Sequence, residues 1–142
     1  MAYKAGMTFE PRTMLNNPGA FGSVAGDVPP AEGIDVTDHR YRSAIIQHRI
    51  ARNVQDGLRY ADKSLPRFLG DFDGQAGLSL DRQRRVLRGE TSATFADLTF
   101  WAAHFPYVAY YVDDYLRQLF LPTTAAAPRP SHPVARTRAP GP

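Results

Sequence analysis

The fold is decided by residues 77–90, which read GLSLDRQRRVLRGE. Ser79 can cap a helix by accepting a hydrogen bond from the free N–H groups of the first turn, and Gly89 can end that helix in a left-handed conformation. The predicted helix is about three turns long. Its apolar residues are few, namely Leu80, Val86 and Leu87, and most of the others are arginine. So short a helix must dock through a narrow apolar edge, which leaves a wide basic face in solvent.

A wide basic face suits a helix that lies in the major groove of DNA, because arginine can donate paired hydrogen bonds to guanine or to phosphate. A second interpretation is a solvated face that only keeps the protein soluble. The net charge is only +3, but residues 40–90 hold eleven Lys or Arg and six acids. Basic charge is therefore concentrated in the middle of the chain.

The residues before this stretch predict one long helix and one short helix. From Thr37, a candidate N-cap, to about Asp62, apolar side chains recur at spacings of three and four. Ser64 caps a second helix with Pro66 in its first turn, where a missing N–H has no cost. The loop DGQAG follows. The order helix, turn, basic helix is thus predicted from caps and periodicity.

Two more helices are predicted after the basic one. The fourth begins at Ser92 or Thr94 and is stopped by Pro106, and the fifth covers residues 108–120, VAYYVDDYLRQLF. The fifth helix carries more apolar material than the last helix of a small domain needs. Two interpretations stay open, namely core packing or a dimer contact formed by Tyr111, Tyr115 and Leu119.

The two ends of the chain differ in composition from the middle. Residues 1–36 contain five Gly and four Pro, which predicts a flexible N-terminal arm, although scattered hydrophobic residues leave docking on the core open. Residues 121–142 contain six Pro, which predicts a disordered Pro/Ala-rich tail. The predicted fold class is all-α, with five helices in residues 37–120 between disordered N- and C-terminal tails.

Composition excludes several classes of site. The chain has no Cys, and its four His are far apart with no metal-site spacing, so neither a metal nor another cofactor is expected. His48 lies on the apolar stripe of the long helix and is expected in the core or at an interface. No Gly-rich phosphate loop or nucleophile elbow is present, so an enzyme is not expected. No apolar run approaches the roughly 20 residues that cross a bilayer, so a cytoplasmic protein without a membrane contact is expected.

Four short motifs between residues 49 and 105 match a known family. They are the Arg-x-Ala-x-Asn-Val of 49–54, the Gly-Leu-Ser of 77–79, the Arg-Gly-Glu of 88–90 and the Thr-Phe-x-Asp-Leu of 94–98. Through them the chain resembles the lambda-repressor-like helix-turn-helix family of the XRE and Cro type. The resemblance implies a five-helix domain in which the helix from Leu80 to Arg88 reads the major groove.

The resemblance also implies roles for single residues. Asp81, Arg82 and Arg85 match base-reading positions, and Ser79 and Arg88 match positions that usually hold phosphate. Arg84 on the same helix and Arg49 and Arg52 on the long helix are further expected phosphate contacts, because of their charge. Gln83 stands where the family buries an aliphatic residue, which would rotate the helix and exchange the roles of Arg82, Arg84 and Arg85. The loop at residues 73–76 is also longer than the family's usual tight turn.

The sequence therefore predicts a sequence-specific transcriptional regulator, a repressor that binds double-stranded DNA as a homodimer and is nucleoid-associated. Its composition is similar to that of actinobacterial or actinobacteriophage proteins, and a phage immunity repressor would fit. Two alternatives remain. One is a helical protein-interaction module that docks through Trp101 and the tyrosines of residues 107–115. The other is a non-specific nucleoid or plasmid accessory factor that binds only phosphate.

Overall fold

The structure, a computed structural model, describes residues 9–121. Within this range the chain forms five α-helices: α1 (His39–Tyr60), α2 (Leu65–Gly70), α3 (Leu80–Leu87), α4 (Phe95–His104) and α5 (Tyr107–Phe120). Two short 3-10 helices, Pro11–Met14 and Pro18–Ala20, precede them, and the described residues form no β-strand. The predicted all-α class with five helices is confirmed. No helix within residues 9–121 is long and apolar enough to span a membrane.

Three helices begin at the predicted capping residues. Ser64, Ser79 and Thr94 each accept a hydrogen bond from the backbone N–H three residues later, at 3.2 to 3.3 Å. These bonds satisfy N–H groups that have no partner inside the helix. The caps therefore fix where α2, α3 and α4 start, whatever the rest of the chain packs against them.

The long helix begins one residue later than predicted, with its cap at Asp38 instead of Thr37. The Asp38 carboxylate accepts from the backbone N–H of Arg40 at 2.8 Å. Thr37 is occupied elsewhere, because its backbone N–H and its hydroxyl both donate to Asp35. The ionised carboxylate of Asp38 also suits the positive end of the helix dipole.

α1 lies at the centre of the molecule and packs against α3, α4, α5 and the residues before it. The core is aliphatic and aromatic, and its fully buried members include Ile45, Val54, Trp101 and Val108. A 22-residue helix has room for all these neighbours because its apolar stripe is wide. α3, α4 and α5 are thereby held around one element, and α2 contacts α3.

Residues 9–38, which we call the N-terminal segment, are part of this core. Leu15, Phe21 and Val28 are buried, and the backbone N–H of Arg12 donates to the carbonyl of Gly89 at 3.0 Å. This corrects the predicted flexible arm for residues 9–36. Gly and Pro place the turns there, and the hydrophobic residues between them dock on α1. The predictions for residues 1–8 and 122–142 lie outside the described residues.

His48 joins the N-terminal segment to α1. Its ring is buried, its Nδ1 accepts from the backbone N–H of Gly22 at 2.7 Å, and its Nε2 lies 2.8 Å from the carbonyl oxygen of Gly26. Because an N–H only donates and a carbonyl only accepts, the ring accepts at Nδ1 and donates at Nε2. The expected place of His48 in the core is confirmed, and its bonds satisfy two backbone groups of a glycine-rich turn.

Candidate nucleic-acid interface

The outer face of α3 is a polar, mainly basic stripe. Asp81, Arg84, Arg85 and Arg88 are all exposed, and their spacing of three, four and seven residues places them on one side of the helix. The opposite side is buried through Gln83, Val86 and Leu87. We call the four exposed residues the α3 stripe.

The side chains of the α3 stripe are weakly constrained. Arg85 Nε lies 3.3 Å from a carboxylate oxygen of Asp81, and this pair is largely exposed. Among residues 9–121, no carboxylate lies within 4.0 Å of the guanidinium of Arg84 or Arg88. Exposed pairs of this kind contribute little to stability, about 0 to 1 kcal/mol. Within the described residues, the arginines of the stripe are therefore not held by strong ion pairs.

Arg82 lies on the flank of α3 and points to α4 instead of outward. Its two terminal nitrogens donate to the two carboxylate oxygens of Asp97 at 2.6 and 2.8 Å, and one of them also donates to the carbonyl of Gly77 at 3.0 Å. Hydrogen bonding to Asp97 raises the pKa of Arg82. This paired geometry is among the strongest that a protein forms between two charged groups.

Asp97 is buried at the first turn of α4 and is the acceptor of several bonds. Burial acts to raise its pKa, but hydrogen bonds from Arg82, from the backbone N–H of Thr94 and from Gln83 outweigh it, so the pKa falls to about 2. The carboxylate is therefore ionised at neutral pH. It closes the helix cap of α4 and holds α3 at the same time.

Gln83 is fully buried, with an exposed fraction of 0 %. Its amide nitrogen donates to Gly77 at 3.0 Å and to Asp97 at 2.9 Å, and its amide oxygen accepts from the indole N–H of Trp101 at 3.0 Å. A buried amide whose nitrogen donates two hydrogen bonds and whose oxygen accepts one is compatible with a core position. The predicted rotation of the helix is therefore wrong, because Gln83 stays on the buried side with Val86 and Leu87. We call Arg82, Gln83, Asp97 and Trp101 the Asp97 network.

The expected phosphate-binding residues are not all on the same side. Ser79 is exposed beside the α3 stripe, with its hydroxyl used as the cap. Arg49 instead binds both carboxylate oxygens of Asp27 at 2.8 and 2.9 Å, and Arg52 donates to the carbonyl of Ser23 at 3.1 Å. These two arginines thus hold the N-terminal segment on α1, and the structure does not group them with α3.

The three residues expected at a dimer contact differ in exposure. Tyr115 is only 6 % exposed, and the guanidinium of Arg49 lies 3.9 Å above its ring. Burial raises the pKa of Tyr115 to about 12, with a further contribution from Asp27. Tyr111 is exposed and Leu119 is half-buried. Tyr115 is thus a core residue of the single chain, which leaves Tyr111 as the accessible member.

Sequence reasoning missed the Asp97 network, although two signals for it are present. Thr94 and Asp97 have the spacing of a capping box, which places an acid at the start of α4. Gln83 is a polar residue on the otherwise apolar side of α3. Neither signal identifies Arg82 as the partner of the Asp97 carboxylate, because the pairing depends on how α3 is placed relative to α4. Among the described residues, no group of three or more His, Asp or Glu is placed to hold a metal ion.

Comparisons of this chain with known protein families, with curated proteins and with solved structures found no match, so its function is argued from the geometry of α3 and its surroundings.

Proposed function

We propose that this chain is a sequence-specific DNA-binding protein of the lambda-repressor-like helix-turn-helix type, in which α3 enters the major groove. The observation that carries the proposal is the α3 stripe, which presents three arginines and one acid on the outer side of a helix whose inner side is fixed. The major groove of B-DNA is about 12 Å wide and admits one α-helix. A helix that is rigid before it binds loses little entropy on binding.

The α3 stripe holds side chains for both kinds of DNA contact. Arg85 and Asp81 are the proposed base-reading pair, because arginine recognises guanine O6 and N7 and a carboxylate accepts from cytosine N4. Arg84 and Arg88 are the proposed phosphate contacts, since no carboxylate of the described residues neutralises them. Ser79, which begins the helix beside them, is a further proposed phosphate contact.

Arg82 has a different role in this proposal from the one that the resemblance implies. Its guanidinium already donates to Asp97 and Gly77, so a base contact would require these bonds to break. Arg82 is therefore a positioning residue that fixes α3 for the contacts of its neighbours. Phosphate contacts by Arg49 and Arg52 would likewise require them to release the N-terminal segment.

The proposed regulator is a repressor that acts as a homodimer. Eight residues of α3 extend about 12 Å along the helix axis, which covers under about four base pairs at 3.4 Å each. A unique site needs more sequence than that, and a two-fold dimer on paired half-sites doubles it. In this proposal the DNA partner is a palindromic operator.

A selection from a randomised duplex library at two salt concentrations tests the proposal. The variant is Arg84→Ala/Arg85→Ala, and the matched control is Arg59→Ala/Arg117→Ala, which removes the same charge from exposed arginines on α1 and α5. We expect the unmodified chain and the control to enrich one palindromic motif that the α3 variant loses. Binding without enrichment that fades with salt equally in all three proteins would overturn the proposal in favour of non-specific phosphate binding.

A second candidate function is a protein-interaction module, which the exposed tyrosines of α5 favour. Tyr107, Tyr110 and Tyr111 are all exposed on the first two turns of that helix. This candidate predicts that removal of charge from the α3 stripe has no effect on partner binding, whereas Tyr111→Ala abolishes it. The same Arg84→Ala/Arg85→Ala variant therefore distinguishes the two candidates.

A further inference from the structure

An open cleft of about 630 Å³ lies between the C-terminal part of α1 and the start of α5. Tyr60, Tyr107 and Tyr111 line it together with Phe105 and Pro106. The proposed DNA contacts do not use this cleft, because none of its lining residues belongs to α3 or to the Asp97 network. We call it the tyrosine cleft.

The tyrosines of the cleft are left to solvent to an unusual degree. Tyr60 is 96 % exposed, Tyr107 73 % and Tyr111 43 %. Single exposed aromatic residues are common, but three around one concave surface indicate a binding site. Clefts lined by aromatic side chains are the surfaces that bind proline-rich segments in the polyproline II conformation.

One carboxylate lines the cleft as well. Asp56 is about half exposed, and its contacts to Arg52 and Arg59 are 3.6 and 3.5 Å long. Both distances exceed those of a good charged hydrogen bond, about 2.7 to 2.9 Å. Asp56 nevertheless has both arginines beside it, so the cleft carries no unbalanced negative charge. The tyrosine rings, and not charge, therefore suit the cleft to a proline-rich segment.

We propose that the occupant is this chain's own residues 122–142, with Pro128, Arg129 and Pro130 in the cleft. These 21 residues read PTTAAAPRPSHPVARTRAPGP and contain six Pro, three Arg and no acid. The prolines supply the rings that pack on tyrosine. The proline content of the segment is thus complementary to the aromatic lining of the cleft.

The length of the segment fits this arrangement. The described chain ends at Leu121, just beyond α5, whereas the cleft lies at the other end of that helix. The 14 residues of α5 extend about 21 Å. Nine residues such as 122–130 would span about 28 Å if they were extended as polyproline II, at roughly 3.1 Å per residue. The Pro-Arg-Pro motif can therefore run back along α5 and reach the tyrosines.

The test places a nitroxide on the segment and measures paramagnetic broadening of backbone amide signals. The chain has no Cys, so Ser131→Cys in the full chain gives a single labelling position. We expect strong broadening that is localised to residues 56–61 and 105–111. Tyr107→Ala should reduce it several-fold, whereas Phe95→Ala, which removes another highly exposed aromatic ring outside the cleft, should not.

Three outcomes would overturn the proposal. The first is broadening that is weak and spread over the surface. The second is equal loss in Tyr107→Ala and Phe95→Ala. The third is equally strong broadening on isotope-labelled chains that carry no nitroxide when they are mixed with spin-labelled chains, which would assign the occupant to a second copy. None of these outcomes depends on whether α3 binds DNA, so the two proposals fail independently.

Discussion

At the scale of single residues, the position of α3 depends on the hydrogen bonds around the Asp97 carboxylate. Arg82, Gln83 and Thr94 donate to it from three directions, and Arg82 and Gln83 belong to α3 itself. Charged hydrogen bonds in a site shielded from water are stronger than neutral ones at the surface. A single buried side chain thus orients the helix that carries the candidate DNA contacts.

The depressed pKa of Asp97 predicts a pH dependence of stability. Its folded pKa of about 2 lies below the ordinary value of 3.8, so its contribution is fully present above about pH 4 and is lost as the pH falls through 2. The shift corresponds to about 2 kcal/mol. Urea unfolding followed by circular dichroism from pH 2 to 5 should therefore give a flatter profile for Asp97→Asn than for the unmodified chain. Parallel profiles would contradict this account of Asp97.

Gln83→Leu should destabilise the chain although it makes the core more apolar. Leucine leaves the indole N–H of Trp101 without a partner and removes a donor from Asp97, which costs about 2 to 3 kcal/mol in unfolding free energy. Gln118→Leu, on the exposed side of α5, should change it by less than about 0.5 kcal/mol. In a Trp101→Phe background the cost of Gln83→Leu should shrink, because no N–H remains to be orphaned. An undiminished cost would show that the bond to Trp101 is unimportant.

At the scale of elements, α1 approaches the end of α4 closely because it lacks a side chain at Gly57. A Cβ atom built there would lie 2.5 Å from the ring of Phe105, and the ring is held by neighbouring aromatic residues. The sequence indicates only that Gly57 weakens a helix. The structure shows what the helix gains in return, which is contact with the aromatic part of the core.

Gly57→Ala should therefore destabilise the chain, despite the higher helix propensity of alanine. The expected loss is about 1 to 3 kcal/mol, the usual cost of overpacking. Gly70→Ala is the matched control, because Gly70 ends α2 and a Cβ atom added there would have no neighbour within 4 Å. This control should be neutral or stabilising by up to about 1 kcal/mol. Equal thermal midpoints for the two variants would contradict the close approach of α1 to Phe105.

The positions of the helices were the most predictable part of this fold. Caps such as Ser64 and Ser79 act within one turn, so their positions can be predicted from neighbouring residues alone. The place of Tyr115 could not be predicted in that way. Whether its ring faces a partner or the core depends on Arg49 and Asp27, which are 66 and 88 residues earlier in the chain. Roles that depend on tertiary contacts need the structure.

At the scale of the whole molecule, the N-terminal segment completes the core that the helices begin. It covers one side of α1 and contacts the end of α3, where the ring of Phe21 lies against Gly89. The same Gly and Pro content that predicts flexibility is used for turns between anchored hydrophobic residues. The sequence alone did not decide whether this segment packs on the helices, and the structure shows that residues 9–36 do.

Leu15→Ala tests whether this segment belongs to the cooperative fold. Leu15 is 1 % exposed, so truncation should lower the unfolding free energy by about 2 to 5 kcal/mol. Val36→Ala, at an exposed position of the same segment, should change it by less than about 0.5 kcal/mol. Chemical denaturation measures both. A denaturation midpoint that Leu15→Ala leaves unchanged would mean that the segment unfolds separately from the helices.

The candidate site is predictable from sequence as a basic helix but not as a set of roles. Arg82, Arg84 and Arg85 are identical in type and nearly adjacent, and only the direction of each side chain separates a positioning residue from an exposed one. Their contacts with DNA stay predictions. Caps and composition predict the helix, and the hydrogen bonds from α3 to Asp97 on α4 distinguish Arg82 from its exposed neighbours.

The buried indole of Trp101 gives the chain an intrinsic optical reporter. It is the single tryptophan, it donates to Gln83 on α3, and it forms a cluster of three rings with Phe68 and Phe105, at ring-centroid distances of 5.6 and 6.0 Å. A change in the polarity or stacking around an indole alters the wavelength and intensity of its fluorescence. A displacement of α3 against α4 should therefore change the fluorescence of the unmodified protein, without an added dye.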